Sequence, residues 1–300
     1  PIHWSHSLFV RIRKTIAKFQ QMDELTSTEQ GRDISRKFVS ISKEIRHYEQ
    51  RLFEQWKETV NAKAMEMLKQ RIFRAEIDGK EVPADTPNAK IVVNFHTELT
   101  VLIRESKYLD RMGFAVPETA LNVTLQEDKY HAYVESLEAM LRAHDAVVAS
   151  LSPVETELLQ TQIIELRGAL DKGFKLLNWN SLSIPEFTDS CMKSINKFNA
   201  VVKQIQKNAS IIKGVVDAIS SVELLKPPST PPGAELPELA ELFDDIDKNR
   251  QAQLDELLRQ YHQIGPLLIK VEEMVVNTNT GASPVLRSYY AYWEREIYAA

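Results

Sequence analysis

The sequence contains little cysteine, glycine and proline. Cys191 is the only cysteine among the 300 residues, which excludes an internal disulfide and any zinc site built from several cysteines. A single cysteine fits a reducing intracellular compartment. With only 9 glycines and 13 prolines, the chain is expected to form long uninterrupted elements, and helices are favoured over a turn-rich all-β fold.

The sequence also lacks an excess of positive charge and a long apolar run. Its formal net charge is -5, whereas a nucleic-acid-binding domain usually carries a basic stripe. The nearest candidate is RIRK at residues 11–14, and a run this short is more typical of a solvated helical face. No segment approaches the ~18 apolar residues of a membrane span. Neither nucleic acid nor a membrane is therefore expected as a partner.

The two ends of the sequence predict that it is a piece of a longer chain. Pro1 lies inside a motif, and the final residues YWEREIYAA are typical of a helix in mid-course. No signal peptide is recognisable, so any targeting information is expected to lie elsewhere.

Two helices are predicted in the first 70 residues. The first covers residues 4–25, and TSTE then forms a capping box between Thr26 and Glu29. Apolar residues follow at alternating steps of four and three, which is one face of a helix; they are Ile34, Phe38, Ile41, Ile45, Tyr48 and Leu52. A helix of about 45 residues would be about 65 Å long, which predicts an elongated bundle.

The helical pattern stops between residues 72 and 95. Asp78 and Gly79 form a turn signal, and the β-branched stretch KIVVNF favours a strand. We expect a small two-stranded hairpin or an ordered loop here. Helical patterning resumes at residues 99–109, ends at Gly113, and restarts after Pro117.

Three longer helices are predicted beyond this point. Residues 130–151 carry an apolar seam, and residues 152–155 form a capping box that starts a second helix, antiparallel to the first. Another capping box at residues 183–186 starts a third helix, whose near-heptad seam indicates bundle or coiled-coil packing. The members of that seam are Ile184, Phe187, Cys191, Ile195, Phe198, Val202, Ile205, Ala209, Ile212, Val216 and Ile219.

The main boundary is predicted at the proline-rich stretch KPPSTPPGAELP, which should be stiff and extended. A long helix follows, bent near Gly265 and Pro266, and a last helix follows the loop NTNTGASP. The fold is therefore expected to be all-α, made of elongated consecutive helical bundles with long antiparallel helices and one small β-hairpin near residues 72–95. The expected divisions are residues 1–78, 79–95, 96–225, the linker 226–237, and 238–300.

The sequence offers no convincing catalytic, cofactor or metal site. His3 and His6 have a spacing that could bind a metal, but a third ligand is missing nearby, and His144 lies at a core position of a seam. Gly168 and Gly173 have Walker-A spacing, yet Phe174 replaces the lysine that would reach the phosphates. Catalytic, cofactor-binding and metal residues are all predicted to be absent.

One acidic stretch resembles a calcium loop. DIDKNRQAQLDE places Asp245, Asp247, Asn249 and Glu256 at EF-hand positions, but Arg250 stands where the glycine is needed. Because the surrounding pattern is helical, this stretch is interpreted as a solvated helical face.

The stretch LLNWNSLSIPEF at residues 176–187 raises a similar question. Trp179 could stack on a ligand, or it could fill the joint between two helices. We favour the joint, with the indole N–H donating to a backbone carbonyl of the turn and with Asn178 and Asn180 suited to the turn itself.

Several motifs resemble one known family. WSHSLFVRI is similar to its W-[AS]-R-x-L-x-x-R-I, with His6 where arginine is usual. Residues 93–121 are similar to V-N-F-[DS], R-E-[VA]-K-Y-L and V-P in order, with His96 and Ser106 as departures. YEQRLFEQW, SPVETELL, GFKLLNWNSLSI and YYAYWEREI continue the series. Together they resemble N-terminal region 1 in the tail of dynein heavy chains, closer to the axonemal, outer-arm type.

This resemblance implies a role without a reaction. It implies a rod of helical bundles that carries WD-repeat intermediate chains and other tail subunits, joins neighbouring heavy chains, and anchors on the doublet microtubule of cilia and flagella. The ATPase ring would lie further along the chain. Cytoplasm, cytoskeleton and axoneme are the expected locations, and the chain itself is not expected to be an enzyme.

Three alternatives remain open from the sequence. The chain could be the tail of a cytoplasmic or intraflagellar dynein. It could be a membrane-binding module of the BAR type, although the net charge of -5 disfavours a basic concave face. An enzyme on a helical bundle would need paired carboxylate motifs, and EIRH at residues 44–47 is the nearest approach.

Overall fold

A computed structural model of the chain describes residues 1–84, 86, 89–225, 238–276 and 283–300. The predicted linker 226–237 and most of the loop NTNTGASP lie outside these residues. The described chain divides into two compact units. Unit one comprises Pro1–Glu138 and Lys172–Pro185, and unit two comprises Ala139–Asp171 and Glu186–Ala300.

Unit one begins with α1 (Ile2–Gln20), the short α2 (Asp23–Thr26) and the long α3 (Glu29–Lys69). The sequence predicted one helix where α1 and α2 lie. The backbone leaves the helical conformation at Met22, with φ -104° and ψ 86°, which divides the two. The long helix is confirmed, and its 41 residues correspond to a length of about 60 Å.

The N-cap of α3 is Thr28, so the predicted capping box at Thr26 is wrong. The Thr28 hydroxyl accepts the Gly31 amide N–H at 3.0 Å. Thr26 ends α2, and its hydroxyl donates to the Asp23 carbonyl at 3.2 Å. TSTE offers two threonines, and the extra turn of α2 moves the start of α3 to the second one.

Thr28→Ala is expected to lower the free energy of unfolding of the start of α3 by about 0.5–2 kcal/mol, because an orphan N–H loses its acceptor. Thr26→Ala is the matched control and should cost less than about 0.5 kcal/mol. Hydrogen exchange at the Gly31 amide provides the local measurement. If the Gly31 amide exchanged at the same rate in both variants, the assignment of Thr28 as the N-cap would be wrong.

A three-stranded antiparallel sheet follows, of order β2-β1-β3. Its strands are β1 (Phe73–Ile77), β2 (Lys80–Val82) and β3 (Lys90–Val93). Asp78 and Gly79 form the β1–β2 turn, with φ values of 50° and 76°, as a two-residue hairpin turn requires. The sequence predicted two strands at most. The third strand joins the far edge of β1, with Phe73 opposite Val93.

The remaining helices of unit one start and stop close to the predicted signals. α4 covers Thr97–Arg111 and α5 covers Glu118–Leu125. Gly113 has φ 84°, the left-handed conformation that glycine adopts at little cost. α3 packs against α1, α4 and α5, so the long helix is the central support of this unit.

The boundaries between the two units fall within three helices, which are α6 (Glu127–Ala149), α8 (Gln160–Lys175) and α9 (Ile184–Ser220). The capping box that starts α7 (Pro153–Leu158) is confirmed, with Glu155 N–H donating to the Ser152 hydroxyl and Ser152 N–H donating to the Glu155 carboxylate. One helix was expected from there to Gly173. A local irregularity at Leu159, with φ -103° and ψ 13°, separates α7 from α8.

The seam predicted along α9 is buried almost throughout. Every predicted member is buried except Ala209, which is half-buried, while the neighbouring Asn208 is buried instead. Regular spacing at steps of three and four places these side chains on one face, so burial follows the sequence pattern closely here.

The last helices are α10 (Leu239–Tyr261), α11 (Ile264–Val276) and α12 (Ser283–Ala299). The bend predicted near Gly265 and Pro266 lies earlier, at His262 and Gln263, between α10 and α11. Pro266 instead occupies the first turn of α11, where its missing N–H is tolerated. α12 packs against α7. In the described part of the chain, no helix combines the length and the apolar composition that a membrane span requires.

Candidate functional site

The turn between α8 and α9 holds a buried tryptophan in unit one. Trp179 is 1% exposed, and its ring meets Phe95 edge-on at 4.9 Å between centroids. The indole Nε1–H donates to the Asn94 carbonyl at 2.9 Å. The predicted burial of the ring is therefore confirmed, but its hydrogen-bond partner lies 85 residues earlier in the chain and not in the turn itself.

The backbone before β1 joins this turn to the sheet. Arg71 and Asn178 form an isolated antiparallel bridge, and the Arg71 guanidinium donates to the Leu176 carbonyl at 2.8 Å. Asn94 completes the junction, since its amide N–H donates to Ile72 O at 2.8 Å and its side chain donates to Arg71 O at 3.0 Å. Three segments that are distant in sequence are thus tied together by backbone hydrogen bonds and by side chains that donate to main-chain carbonyls.

Asn178 shapes the turn itself. Its side-chain oxygen accepts the Asn180 amide N–H and the Ser181 hydroxyl, both at 3.1 Å. The Ser181 hydroxyl oxygen in turn accepts the Asn178 amide N–H at 3.1 Å. This is the local bonding that favours asparagine in turns, so the expectation for Asn178 is confirmed.

Gly173 brings α8 against the sheet. A Cβ atom at this position would lie 2.2 Å from the ring of Phe73, which is buried in β1. Phe174 adds an edge-on contact with the same ring at 5.7 Å. Gly168 and Gly173 both lie within α8, and Gly173 allows the close approach of this helix to the Phe73 ring. We name the arrangement around Asn94, Gly173 and Trp179 the α8–sheet joint.

An open cavity of about 630 Å³ lies beside this joint. Its lining includes Arg71, Arg74, Glu81 and His96. Arg74 is paired with Glu76 at 2.7 Å, and Arg71 is bound to the turn, so these cations already have partners within the chain. The described residues of its lining do not form a set of convergent ligands that would indicate a chemical class of substrate.

Comparisons with known proteins cover the region that contains this joint. A family model described as dynein heavy chain, N-terminal region 1, matches residues 1–187. The chain belongs to the dynein heavy-chain family. The resemblance expected from the motifs is therefore confirmed, and the joint lies within the matched region.

Individual relatives are axonemal dyneins. The flagellar inner arm I1 dynein-1-alpha heavy chain of Chlamydomonas reinhardtii is 43% identical over 301 residues, which cover 100% of this chain and 6% of that protein. Human dynein axonemal heavy chain 10 is 38% identical, over 99% of this chain and 7% of that protein. The axonemal assignment is confirmed, whereas the name of the Chlamydomonas protein refers to an inner arm and gives no support to the outer-arm expectation.

The dynein motifs contact one another in unit one. Ser5, from the first motif, donates to the buried Glu49 of YEQRLFEQW at 3.2 Å. Trp56, at the end of that motif, donates from Nε1 to Glu105 of the RESKYL block at 2.9 Å. Asn94 of VNF accepts from Trp179 of LLNWNSL. Three pairs of the motifs therefore meet through hydrogen bonds within unit one.

His96 departs from the dynein pattern but keeps its structural role. It is the N-cap of α4, and its Nδ1 accepts the Glu98 amide N–H at 3.2 Å. The aspartate or serine of the resemblance would accept the same donor, because both are strong N-cap residues. The departure therefore replaces one acceptor by another.

His96→Asp is expected to raise the free energy of unfolding by about 0.5–1 kcal/mol, since aspartate is a better cap and its charge suits the N-terminus of a helix. Urea denaturation measures the change. His96→Ala is the control, and it should lower stability because the Glu98 N–H loses its acceptor. If the aspartate variant were as unstable as the alanine variant, the capping role would be wrong.

His3, His6, His144 and Cys191 each have different neighbours in the structure. His3 meets the ring of Tyr108 edge-on at 5.8 Å, while His6 lies 3.9 Å from Glu49. His144 is buried with Nδ1 2.9 Å from Asp145, and Cys191 is buried on α9. Among the residues that the structure describes, no group of three histidine, cysteine, aspartate or glutamate side chains could hold a metal ion.

The calcium-like stretch lies entirely within α10, as the helical interpretation predicted. Glu256, which would provide the last ligand of an EF-hand, accepts from Arg259 at 2.6 Å and from Gln260 at 2.7 Å. The hydrogen bond from Arg259 lowers the pKa of Glu256 to about 2. These carboxylates belong to a solvated helix surface, and a helix cannot wrap oxygen ligands around a cation.

Proposed function

We propose that this chain is a non-catalytic structural segment of an axonemal dynein heavy-chain tail. In this role it scaffolds WD-repeat intermediate chains, light chains and neighbouring heavy chains, and it anchors the motor to the axonemal microtubule of cilia or flagella. The observation that carries the proposal is the match of residues 1–187 to N-terminal region 1 of dynein heavy chains.

The internal structure supports a mechanical role. The α8–sheet joint uses backbone hydrogen bonds, a buried indole and a close glycine contact to fix the path of the chain. Main-chain bonds and close packing resist deformation better than exposed side-chain pairs, which contribute little. Such a joint suits a segment that transmits force between tail subunits and motor.

The residues that the structure describes offer no support for an enzymatic role. Gly168 and Gly173 lie within α8 and form no loop around a phosphate, and Glu44 and His47 of EIRH are exposed on α3. An enzyme on a helical bundle needs carboxylates that project inward. We therefore retain a non-catalytic role as part of the proposal, with residues 226–237 as the proposed linker to a following bundle.

Co-expression with an axonemal WD-repeat intermediate chain tests the scaffolding role. We expect both proteins to elute together in size-exclusion chromatography after affinity purification through either partner. The WD-repeat intermediate chain of a cytoplasmic dynein is the specificity control, and equal binding to it would show that the docking is not specific for axonemal subunits. Absence of association at every ionic strength tested, with circular dichroism showing a folded chain, would overturn the docking role.

A further inference from the structure

An open apolar groove runs along the surface between α1 and the first half of α3. The two helices are antiparallel, because Ser5 contacts Glu49 and Phe9 lies beneath the guanidinium of Arg46. The groove has a volume of about 520 Å³. Its apolar floor consists of Leu8, Ile12 and Ile16 from α1 and Ile34, Phe38 and Ile41 from α3.

The spacing of the floor residues gives α1 and α3 each an apolar face against which a third helix could pack. They recur at steps of three, four or seven along α3, as expected for a bundle-facing stripe. The groove is nevertheless uncovered within the described chain, since Ile34 is 46% and Ile41 45% exposed and only α1 and α3 line it. Two helices alone thus leave a seam that a third amphipathic helix would bury.

The charge around the groove is positive. α1 carries Arg11, Arg13, Lys14 and Lys18 and no acidic residue. Arg11 and Lys37 line the groove, and no carboxylate does; Lys37 also contacts Asp33 at 3.0 Å. Residues 2–48 contain nine lysine and arginine side chains against five aspartate and glutamate, within a chain of net charge -5.

We propose that this groove, the α1–α3 groove, binds an acidic amphipathic helix of a partner subunit. The apolar floor accommodates a helix with residues at i, i+3, i+4 and i+7, and Arg11 and Lys37 pair with carboxylates on its flanks. The inference deepens the scaffolding role and rests on it. It specifies the chemistry of a partner and the surface that receives it.

The charge argues against two other occupants. A symmetric dimer through this surface would place the same basic residues opposite one another, because a two-fold interface uses the same patch on both copies. A nucleic acid would match the charge, but its phosphates would gain nothing from an isoleucine-rich floor, which favours helix packing.

A pair of designed peptides tests the proposal with the full 300-residue chain. The probe is a fluorescein-labelled helical peptide of leucine, alanine and glutamate with one apolar stripe, and its control replaces every glutamate by lysine. We expect the acidic peptide to bind in fluorescence anisotropy and to weaken as salt rises. The lysine peptide should bind at least about tenfold more weakly.

Two matched pairs of variants locate the binding surface. Ile41→Glu should weaken binding of the acidic peptide at least about tenfold, because it removes apolar contact area, whereas Val39→Glu replaces an equally exposed residue of α3 outside the groove. Arg11→Glu should weaken binding about threefold, and Arg13→Glu introduces the same charge change beside it. Circular dichroism establishes that each variant is folded.

Three results would overturn this proposal: equal binding of both peptides, equal effects within each matched pair, or no binding of the acidic peptide. A fourth would replace it with self-association, namely a concentration-dependent dimer in sedimentation velocity that Ile41→Glu abolishes. The peptide experiment and the co-purification experiment test the groove and the scaffolding role independently. If the intermediate chain still co-purifies while the peptide does not bind, only the α1–α3 groove is wrong; if the peptide binds while the intermediate chain does not co-purify, the docking of that subunit is wrong.

Discussion

Trp179→Ala is expected to lower the free energy of unfolding by about 3–5 kcal/mol, the usual cost of removing a large buried aromatic side chain. The indole is 1% exposed, so its loss leaves a cavity beside Phe95. The part-buried Asn94 carbonyl also loses the Nε1–H donor at 2.9 Å, and the lost hydrogen bond adds to the cost. Urea denaturation followed by circular dichroism measures the change.

Two further variants separate the sources of that loss. Trp179→Phe keeps an aromatic ring but removes the donor, so it should cost less than the alanine variant. Leu182→Ala is the matched surface control in the same turn; its side chain is 79% exposed, so the change should stay within about 0.5 kcal/mol. If Trp179→Ala were no more harmful than Leu182→Ala, the α8–sheet joint would not stabilise unit one.

Gly173→Ala is expected to destabilise the protein by about 1–3 kcal/mol through overpacking, although alanine favours a helix. The new methyl group would lie 2.2 Å from the Phe73 ring. That ring is buried and also contacts Phe174, so it has little room to move. The midpoint of urea denaturation reports the loss.

Gly168→Ala supplies a control with the opposite sign. Gly168 lies in the same helix, and a Cβ atom there meets nothing within 4 Å. Its replacement should therefore raise stability by about 0.5–1 kcal/mol through helix propensity alone. Phe73→Leu combined with Gly173→Ala should lose less than the sum of the single losses, because the two sites share one contact. If the two stability losses were additive, Gly173 and Phe73 would not be coupled, and the close-packing role of Gly173 would be wrong.

Much of the helical structure could be predicted because its causes are local. The α7 capping box involves Ser152 and Glu155, three residues apart, and the α9 seam is a spacing pattern that the helix converts directly into a buried face. Gly113 likewise ends α4 through its own backbone freedom. In each case the residues that determine the structure are neighbours in the chain.

The errors concern interactions that local patterns do not determine. Thr26 and Thr28 have equal capping chemistry, and the presence of α2 decides between them. β3 pairs directly with β1 although β2 lies between them in the sequence, and no turn signal indicates that pairing.

Trp179 illustrates the same division within the candidate site. The flanking asparagines and the helix signals around it predict a buried ring in a turn. They do not indicate Asn94 as its hydrogen-bond partner, because 85 residues separate the two. Gly173 similarly resembles part of a phosphate-binding motif until Phe73 is seen against it.

The sequence by itself determined the helical class, the long apolar seams and the dynein motifs, because helix periodicity, capping and motif order are properties of neighbouring residues. Only the tertiary structure decided that those motifs meet one another, that the sheet has three strands, and that the described residues leave the α1–α3 groove uncovered. Each of these depends on residues that come together from distant parts of the chain. A local sequence pattern does not indicate which distant residue will pack against a given side chain.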